Sequence, residues 1–198
     1  PRNMLTTADI SGGLRQGAFL GPGHPVEWAG AMKAQVRAFA SETAAKEIAD
    51  VIRSSPWFER LEEAGLYLAP LDSAVLSARE EAVLSRALGG APVFRNSQRA
   101  YVTVLNKLRN DVAITYAAKW EKQGALTPER LKSLATYINA STGRGDLGKF
   151  SAIASEVAVP FFAPRLLVSR FQLLPQLLAP GTDNAVRILI ARDLASFM

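Results

Sequence analysis

The chain has 198 residues, of which 48% are hydrophobic and 21% charged, a balance that permits a real core and excludes wholesale disorder. It contains no cysteine, which excludes disulfides, thiolate metal sites and thiol nucleophiles. The formal net charge of +5 is uneven: residues 1–94 carry 9 Lys and Arg against 11 Asp and Glu, and residues 95–198 carry 14 against 7. The basic C-terminal half favours anionic partners, whereas the lack of a dense Lys/Arg run favours an ordinary solvated surface.

Residues 1–25 are rich in glycine and proline and predict an extended arm that lies on the body of the protein or on a neighbour. The sequence begins at Pro1 without an initiator methionine, which we interpret as a fragment or a processed product. Residues 26–198 are predicted to form a single all-α domain.

Two amphipathic helices are predicted first: Val26–Ala40 and, after an N-cap at Ser41, a second that ends at Ile52. The residues expected to face inward are Trp28, Met32, Val36, Phe39, Ala44, Ala45, Ile48, Val51 and Ile52. Pro56 suits the first turn of a short third helix that carries Trp57, Phe58 and Leu61 and closes at Gly65. A loop with Tyr67 and Leu68 turned toward the body then precedes a short helix over Ser77–Leu88.

The stretch from Ser97 to Gln123 predicts one long helix, with Ser97 as its N-cap and Gly124 at its C-terminal cap. At 1.5 Å per residue it would span about 39 Å. Its apolar stripe, and the expected packing set of the protein, is Tyr101, Leu105, Leu108, Val112, Tyr116 and Trp120. The sequence therefore predicts a multi-helix bundle around one long central helix.

Four further helices are predicted beyond residue 124. Thr127-Pro128-Glu129 is a helix start that leads into Leu131, Leu134, Tyr137 and Ile138. Asp146 is expected to cap a helix that runs to Pro160, and a further helix carries Leu166, Leu167, Phe171 and Leu174. Asn184–Phe197 closes the chain with Val186, Ile190 and Leu194 on one stripe. No stretch alternates with period two, and the predicted fold class is all-α.

Few residues are candidates for chemistry. His24 is the sole histidine and lies in a Gly/Pro loop, which favours a structural role over a metal site or a catalytic triad. Glu62-Glu63 and Glu80-Glu81 point about 100° apart on a helix and are expected on solvated faces. We therefore predict no catalytic residues, no metal and no cofactor, with a carboxylate-based hydrolase as the less favoured alternative.

Two segments leave alternatives open. Ser141–Gly148 reads STGRGDLG, which suits a helix-to-helix turn capped by Asp146 or, alternatively, a phosphate site in which Arg144 is the charged partner. Phe161–Leu178 is strongly apolar, but Arg165, Arg170 and two prolines favour a buried or interfacial helix over a membrane span. No signal peptide or transmembrane helix is predicted.

Basic residues of the second half define a hypothetical nucleic-acid or phosphate surface. Its members are Arg95, Arg99, Lys107, Arg109, Arg144, Lys149, Arg165 and Arg170. Few exposed aromatic residues are expected for stacking on bases, so nucleic-acid binding is the second hypothesis.

Several strings occur together: ADISGGLRQG (Ala8–Gly17), GLYL (Gly65–Leu68), EEAVLSR (Glu80–Arg86), SQRAYVTVLNKLRNDV (Ser97–Val112), INASTGRGDLG (Ile138–Gly148) and FFAPRLLVSRFQ (Phe161–Gln172). In order and wording they resemble a helical module of the large polyvalent proteins of phages and prophages, over roughly Ala8 to Leu174. The family pattern has an aromatic residue soon after the NKLR string, where this chain has Val112-Ala113.

The resemblance implies a helical segment of a giant internal virion protein that is ejected with the genome, with enzymatic work assigned to other segments. It brings no catalytic residues to this chain. The function it implies is a non-enzymatic structural or assembly module in genome delivery, located in the virion and delivered into the host envelope or cytoplasm. The expected partners are other segments or copies of the parent protein, with DNA as the alternative. Membrane contact and a small-molecule substrate are not predicted.

Overall fold

A computed structural model describes residues 17–71, 92–143 and 176–197 of the chain, with the backbone alone at 92–95. Within these ranges the regular elements are α-helices: α1 Pro25–Ala40, α2 Glu42–Arg53, α3 Phe58–Glu63, α4 Pro92–Lys122, α5 Pro128–Ser141 and α6 Asn184–Phe197. Helices α1, α2 and α5 pack on α4, and α6 packs on α5. The prediction of an all-α bundle around one long helix is confirmed.

The central helix is longer than the sequence pattern predicted. It has 31 residues, about 46 Å at 1.5 Å per residue, and begins at Pro92. The predicted N-cap at Ser97 is wrong, because Pro92 itself suits the first helical position, where its missing N–H costs nothing. The predicted C-terminus is confirmed: Gly124 has φ +64° and its N–H donates to Glu121 O, while the Ala125 N–H donates to Trp120 O.

The core lies between α4, α5 and α6. Of the predicted stripe on α4, Leu105, Leu108, Val112 and Trp120 are buried, and Tyr101 and Tyr116 pack against the core while partly exposed. Helix α5 contributes Leu131, Leu134, Tyr137 and Ile138, all buried as predicted. Its N-cap is also as predicted, since Thr127 Oγ1 accepts from the Arg130 N–H. Helix α6 spans the predicted residues and buries Val186 and Ile190.

Helices α1 and α2 are joined by the single residue Ser41. Its backbone N–H donates to Arg37 O at the end of α1, and its Oγ accepts from the Ala44 N–H at the start of α2. The predicted inward positions Val36 and Val51 are wrong, since these side chains are 63% and 67% exposed. The buried face of α1 is instead formed largely by alanines, whose small side chains let α1 lie close to α4.

The described part of the predicted N-terminal arm is not extended. Gly17–His24, which we call the N-terminal turn, is hydrogen-bonded within itself through Gly21 N–H to Gly17 O (3.0 Å) and His24 N–H to Leu20 O (2.9 Å). Phe19 and Leu20 are buried in the core. The glycines here permit close packing, because a Cβ at Gly21 would lie 3.2 Å from the Trp28 ring.

Helix α3 ends at Glu63 and is closed, as predicted, by Gly65, whose φ is +89°. Residues 66–70 then run along α4 and α5 without a helix or strand. The predicted helices at Ser77–Leu88, after Asp146 and around Leu166–Leu174 lie outside the described residues, as do residues 1–16 of the predicted arm.

Candidate functional site

The most concentrated group of ionisable side chains in the described residues surrounds Asp193 on α6. Asp193 Oδ2 accepts hydrogen bonds from the Tyr137 hydroxyl (2.5 Å) and from His24 Nε2 (2.7 Å). Its other oxygen, Oδ1, accepts from Arg192 Nε (3.0 Å) and Nη2 (2.6 Å). Asp193 is 0% exposed and His24 is 3% exposed. We call these four residues the Asp193 cluster.

Three separate elements bring the cluster together. Asp193 lies on the buried stripe of α6, three residues after Ile190, so the helical repeat turns its carboxylate inward. Tyr137 lies on the buried stripe of α5, and His24 ends the N-terminal turn. Gly23 is required by this approach, because a Cβ there would overlap the Asp193 carboxylate.

The hydrogen bonds determine the charge state of Asp193. Burial opposes its ionisation, but the hydrogen bonds from His24 and Tyr137, together with the His24 charge and the Arg192 hydrogen bond, outweigh it and hold the pKa of the carboxyl below its ordinary value. Burial, and then the Asp193 charge, raise the pKa of Tyr137 well above its ordinary value. Asp193 is therefore an anion at neutral pH and Tyr137 a neutral donor to it.

Two further groups contact the cluster: the Tyr116 ring and the Gly23 carbonyl. The Arg192 guanidinium lies 5.7 Å from the Tyr116 ring centroid, and the His24 and Tyr116 rings meet edge to face at 5.6 Å. Arg192 Nη2 also donates to Gly23 O (3.1 Å). Both oxygens of the Asp193 carboxylate accept hydrogen bonds from side chains of this chain. The carboxylate and the His24 imidazole are buried. The arrangement resembles a buried structural ion pair more than an open acid–base site.

A second set of polar contacts, made by two asparagine side chains, holds the residues that follow α3 against α4 and α5. The Asn106 side chain donates to Ala69 O (2.7 Å) and accepts from the Ala69 N–H (2.9 Å). The Asn139 side chain likewise bonds Gly65 O (2.8 Å) and the Tyr67 N–H (2.9 Å). The two amides thus supply the partners that a neighbouring strand would otherwise provide for this backbone.

Two of the predicted nucleic-acid residues are used inside the protein. Arg109 is 3% exposed; its Nε donates to Thr142 Oγ1 (2.7 Å) and its Nη1 to Tyr67 O (3.2 Å). Arg99 is partly buried, and its Nε donates to Ala38 O (2.7 Å). A phosphate contact by Arg109 is therefore wrong for the folded chain, because its guanidinium is enclosed. Lys107 pairs with Asp111 on the same helix.

The remaining members of that predicted surface are not placed. Arg144, Lys149, Arg165 and Arg170, and the side chain of Arg95, lie outside the described residues. The same holds for Glu80-Glu81, whereas Glu62 and Glu63 are exposed. Among the described side chains, no three His, Asp or Glu converge as metal ligands. No helix in the described ranges is long and apolar enough to cross a membrane.

One depression lies between α2, α3 and the segment that follows α3. Its volume is about 120 Å³, and Ile52, Phe58, Leu68 and Asn106 are among the residues that line it. Small-molecule sites usually measure about 300–1,000 Å³. The depression is therefore too small to be a candidate substrate site.

Sequence reasoning missed the Asp193 cluster. The available signal was an acid at a stripe position of α6, where Val186 and Ile190 predicted an apolar face. A buried acid needs a partner, and His24, the sole histidine, was 169 positions away. Comparisons of the chain with known protein families, with curated proteins and with solved structures found no match. The site is thus interpreted from its geometry.

Proposed function

We propose that this chain is a non-enzymatic structural module that packs within a larger assembly. The observation that carries the proposal is the Asp193 cluster, whose buried hydrogen bonds join the N-terminal turn, α5 and α6 to one another. A catalytic acid or base must reach substrate. Here the carboxylate is 0% exposed, and both of its oxygens accept hydrogen bonds from side chains of this chain.

The kind of assembly is proposed from the sequence. The resemblance of several sequence strings to the large polyvalent proteins supports a segment of an internal or ejected phage virion protein, with other segments or copies as partners. Large apolar side chains at the surface of α1, α2 and α6, namely Val36, Val51 and Ile188, are available for such packing. Nucleic-acid binding loses support from Arg99 and Arg109, which are engaged in the fold.

Sedimentation equilibrium of the isolated chain, from micromolar to near-millimolar concentration, tests the proposal. We expect the average mass to rise above the 21.3 kDa of one chain as concentration increases. A strictly monomeric species at all concentrations would contradict an assembly role. Binding to DNA that weakens steeply with salt would instead favour the nucleic-acid hypothesis.

A further inference from the structure

The N-terminal turn is hydrogen-bonded within itself. Leu20 N–H donates to Gly17 O (3.1 Å), and further bonds from Gly21 and His24 close the following turns. It also packs unusually closely. A Cβ at Gly17 would lie 3.1 Å from Leu108 Cδ2, and one at Gly23 would overlap Asp193. The absence of side chains at these glycines therefore lets the turn pack closely against Leu108 and Asp193.

The attachments of the turn converge on the C-terminal half of α6. His24 Nε2 bonds Asp193, and Gly23 O accepts from Arg192, the preceding residue of the same helix. The Phe19 and Phe197 rings lie 5.4 Å apart, one turn further along α6. Two polar contacts and one ring contact thus hold the turn to α6, and the edge-to-face contact of His24 with Tyr116 adds a contact with α4.

We propose that the N-terminal turn is a detachable clasp on α6, held closed by the Asp193 carboxylate. When the turn detaches, the apolar surface that Phe19 and Leu20 cover becomes exposed, while the helical body stays folded. The inference is independent of the proposed assembly role, since it depends on contacts within one chain.

The turn contributes Phe19 and Leu20 to the core, but most of the core belongs to the helices, which is why the body is able to remain folded. Val112, Leu134, Ile138 and Ile190 are fully buried and belong to α4, α5 and α6. Asp193 would retain Tyr137 from α5 and Arg192 beside it after His24 leaves. The anion would therefore still have two of its three partners.

The charges around Asp193 set the conditions under which the clasp stays closed. The groups that face it are His24 from the turn, Tyr137 from α5, Arg192 on α6 itself and, at longer range, Tyr116 from α4. The hydrogen bonds from His24, Tyr137 and Arg192 keep the carboxylate ionised at neutral pH. Substitution, and not mild acid, is thus the direct way to open the clasp.

Hydrogen exchange of the full 198-residue chain tests the clasp. His24→Leu fills the same space but cannot bond Asp193, and Asp193→Asn removes the charge. We expect the amides of Leu20, Gly21 and His24 (or Leu at that position) to exchange at least about tenfold faster in each variant, the factor that one charge-assisted hydrogen bond provides. Amides in the middle of α4 should remain much slower than those of the turn in each variant, because the turn opens while the helical body stays folded.

Asp111→Asn is the matched control, because Asp111 pairs with Lys107 on α4 and not with the turn; it should leave the turn at its wild-type rate. Wild-type exchange of the turn in both test variants would overturn the inference. So would equal opening free energies for the turn and for the middle of α4, because the turn would then open only when the whole chain unfolds.

Discussion

At the scale of single residues, the main feature is an ionised carboxylate with no exposure to solvent. Burying a charge costs free energy unless partners replace its water. Asp193 receives four donated hydrogen bonds from three side chains, two at each oxygen. The cost of burial is thereby offset, and the carboxylate becomes the point at which distant parts of the chain are joined.

The Tyr137 hydroxyl contributes one of these bonds. Tyr137→Phe keeps the ring in the core but removes a donor to a charged acceptor, so we expect the free energy of unfolding to fall by about 1.5–3 kcal/mol. Urea denaturation measures it. A double-mutant cycle with Asp193→Asn is the control: the two losses should be strongly non-additive. Additive losses would show that the hydroxyl and the carboxylate do not interact.

Stability should depend on pH on the acid side. The pKa of Asp193 is lowered on folding, and so is that of Asp183, where burial is outweighed by hydrogen bonds from Arg130 and the Ala185 N–H. Their contribution is therefore complete above the ordinary Asp pKa of about 3.9 and lost as the pH falls through the lower folded values. We expect Asp193→Asn to flatten the loss of unfolding free energy between about pH 5 and 2. An unchanged slope would contradict this assignment.

At the scale of elements, the helix ends were largely predictable, because caps are local. Ser41, Thr127, Gly65 and Gly124 each act on backbone groups within a few residues. The inward face of α1 and α2 was less predictable. Val36 and Val51 have the right character for a core, but the partner helix decides which face is covered, and α1 presents alanines to α4.

Two glycines should respond in opposite directions to the same substitution. Gly124→Ala places a Cβ at φ +64° and should cost about 1 kcal/mol of unfolding free energy. Gly30→Ala lies inside α1 with no atom within 4 Å of the new Cβ and should stabilise by about 0.5–1 kcal/mol. Thermal unfolding of the pair checks both. Equal shifts of the same sign would show that the helix bounds are misassigned.

The segment after α3 should depend on its amide contacts. Asn106→Ala removes both bonds to Ala69 and leaves its backbone groups short of partners, which should cost about 2–4 kcal/mol. Asn184→Ala, at an exposed position, is the control and should be nearly neutral. Chemical denaturation compares them. A loss no greater than that of the control would mean that water replaces the amide.

At the scale of the whole molecule, the Asp193 cluster joins positions 24, 137 and 193, which are far apart in sequence. No local pattern contains such a site, and this is why composition and spacing predicted the bundle but not the cluster. The sequence does require that a stripe acid find a partner. Which partner it finds depends on how α5, α6 and the N-terminal turn pack together.

The central claim is that the Asp193 cluster stabilises the fold and carries no chemistry. The global free energy of unfolding of Asp193→Asn, against the wild type at neutral pH, tests it most directly. We predict a loss of about 3 kcal/mol or more, because the substitution leaves buried donors without their anion. Unchanged or higher stability would contradict the claim, since that is the outcome when a residue held in place for activity at the expense of stability is replaced.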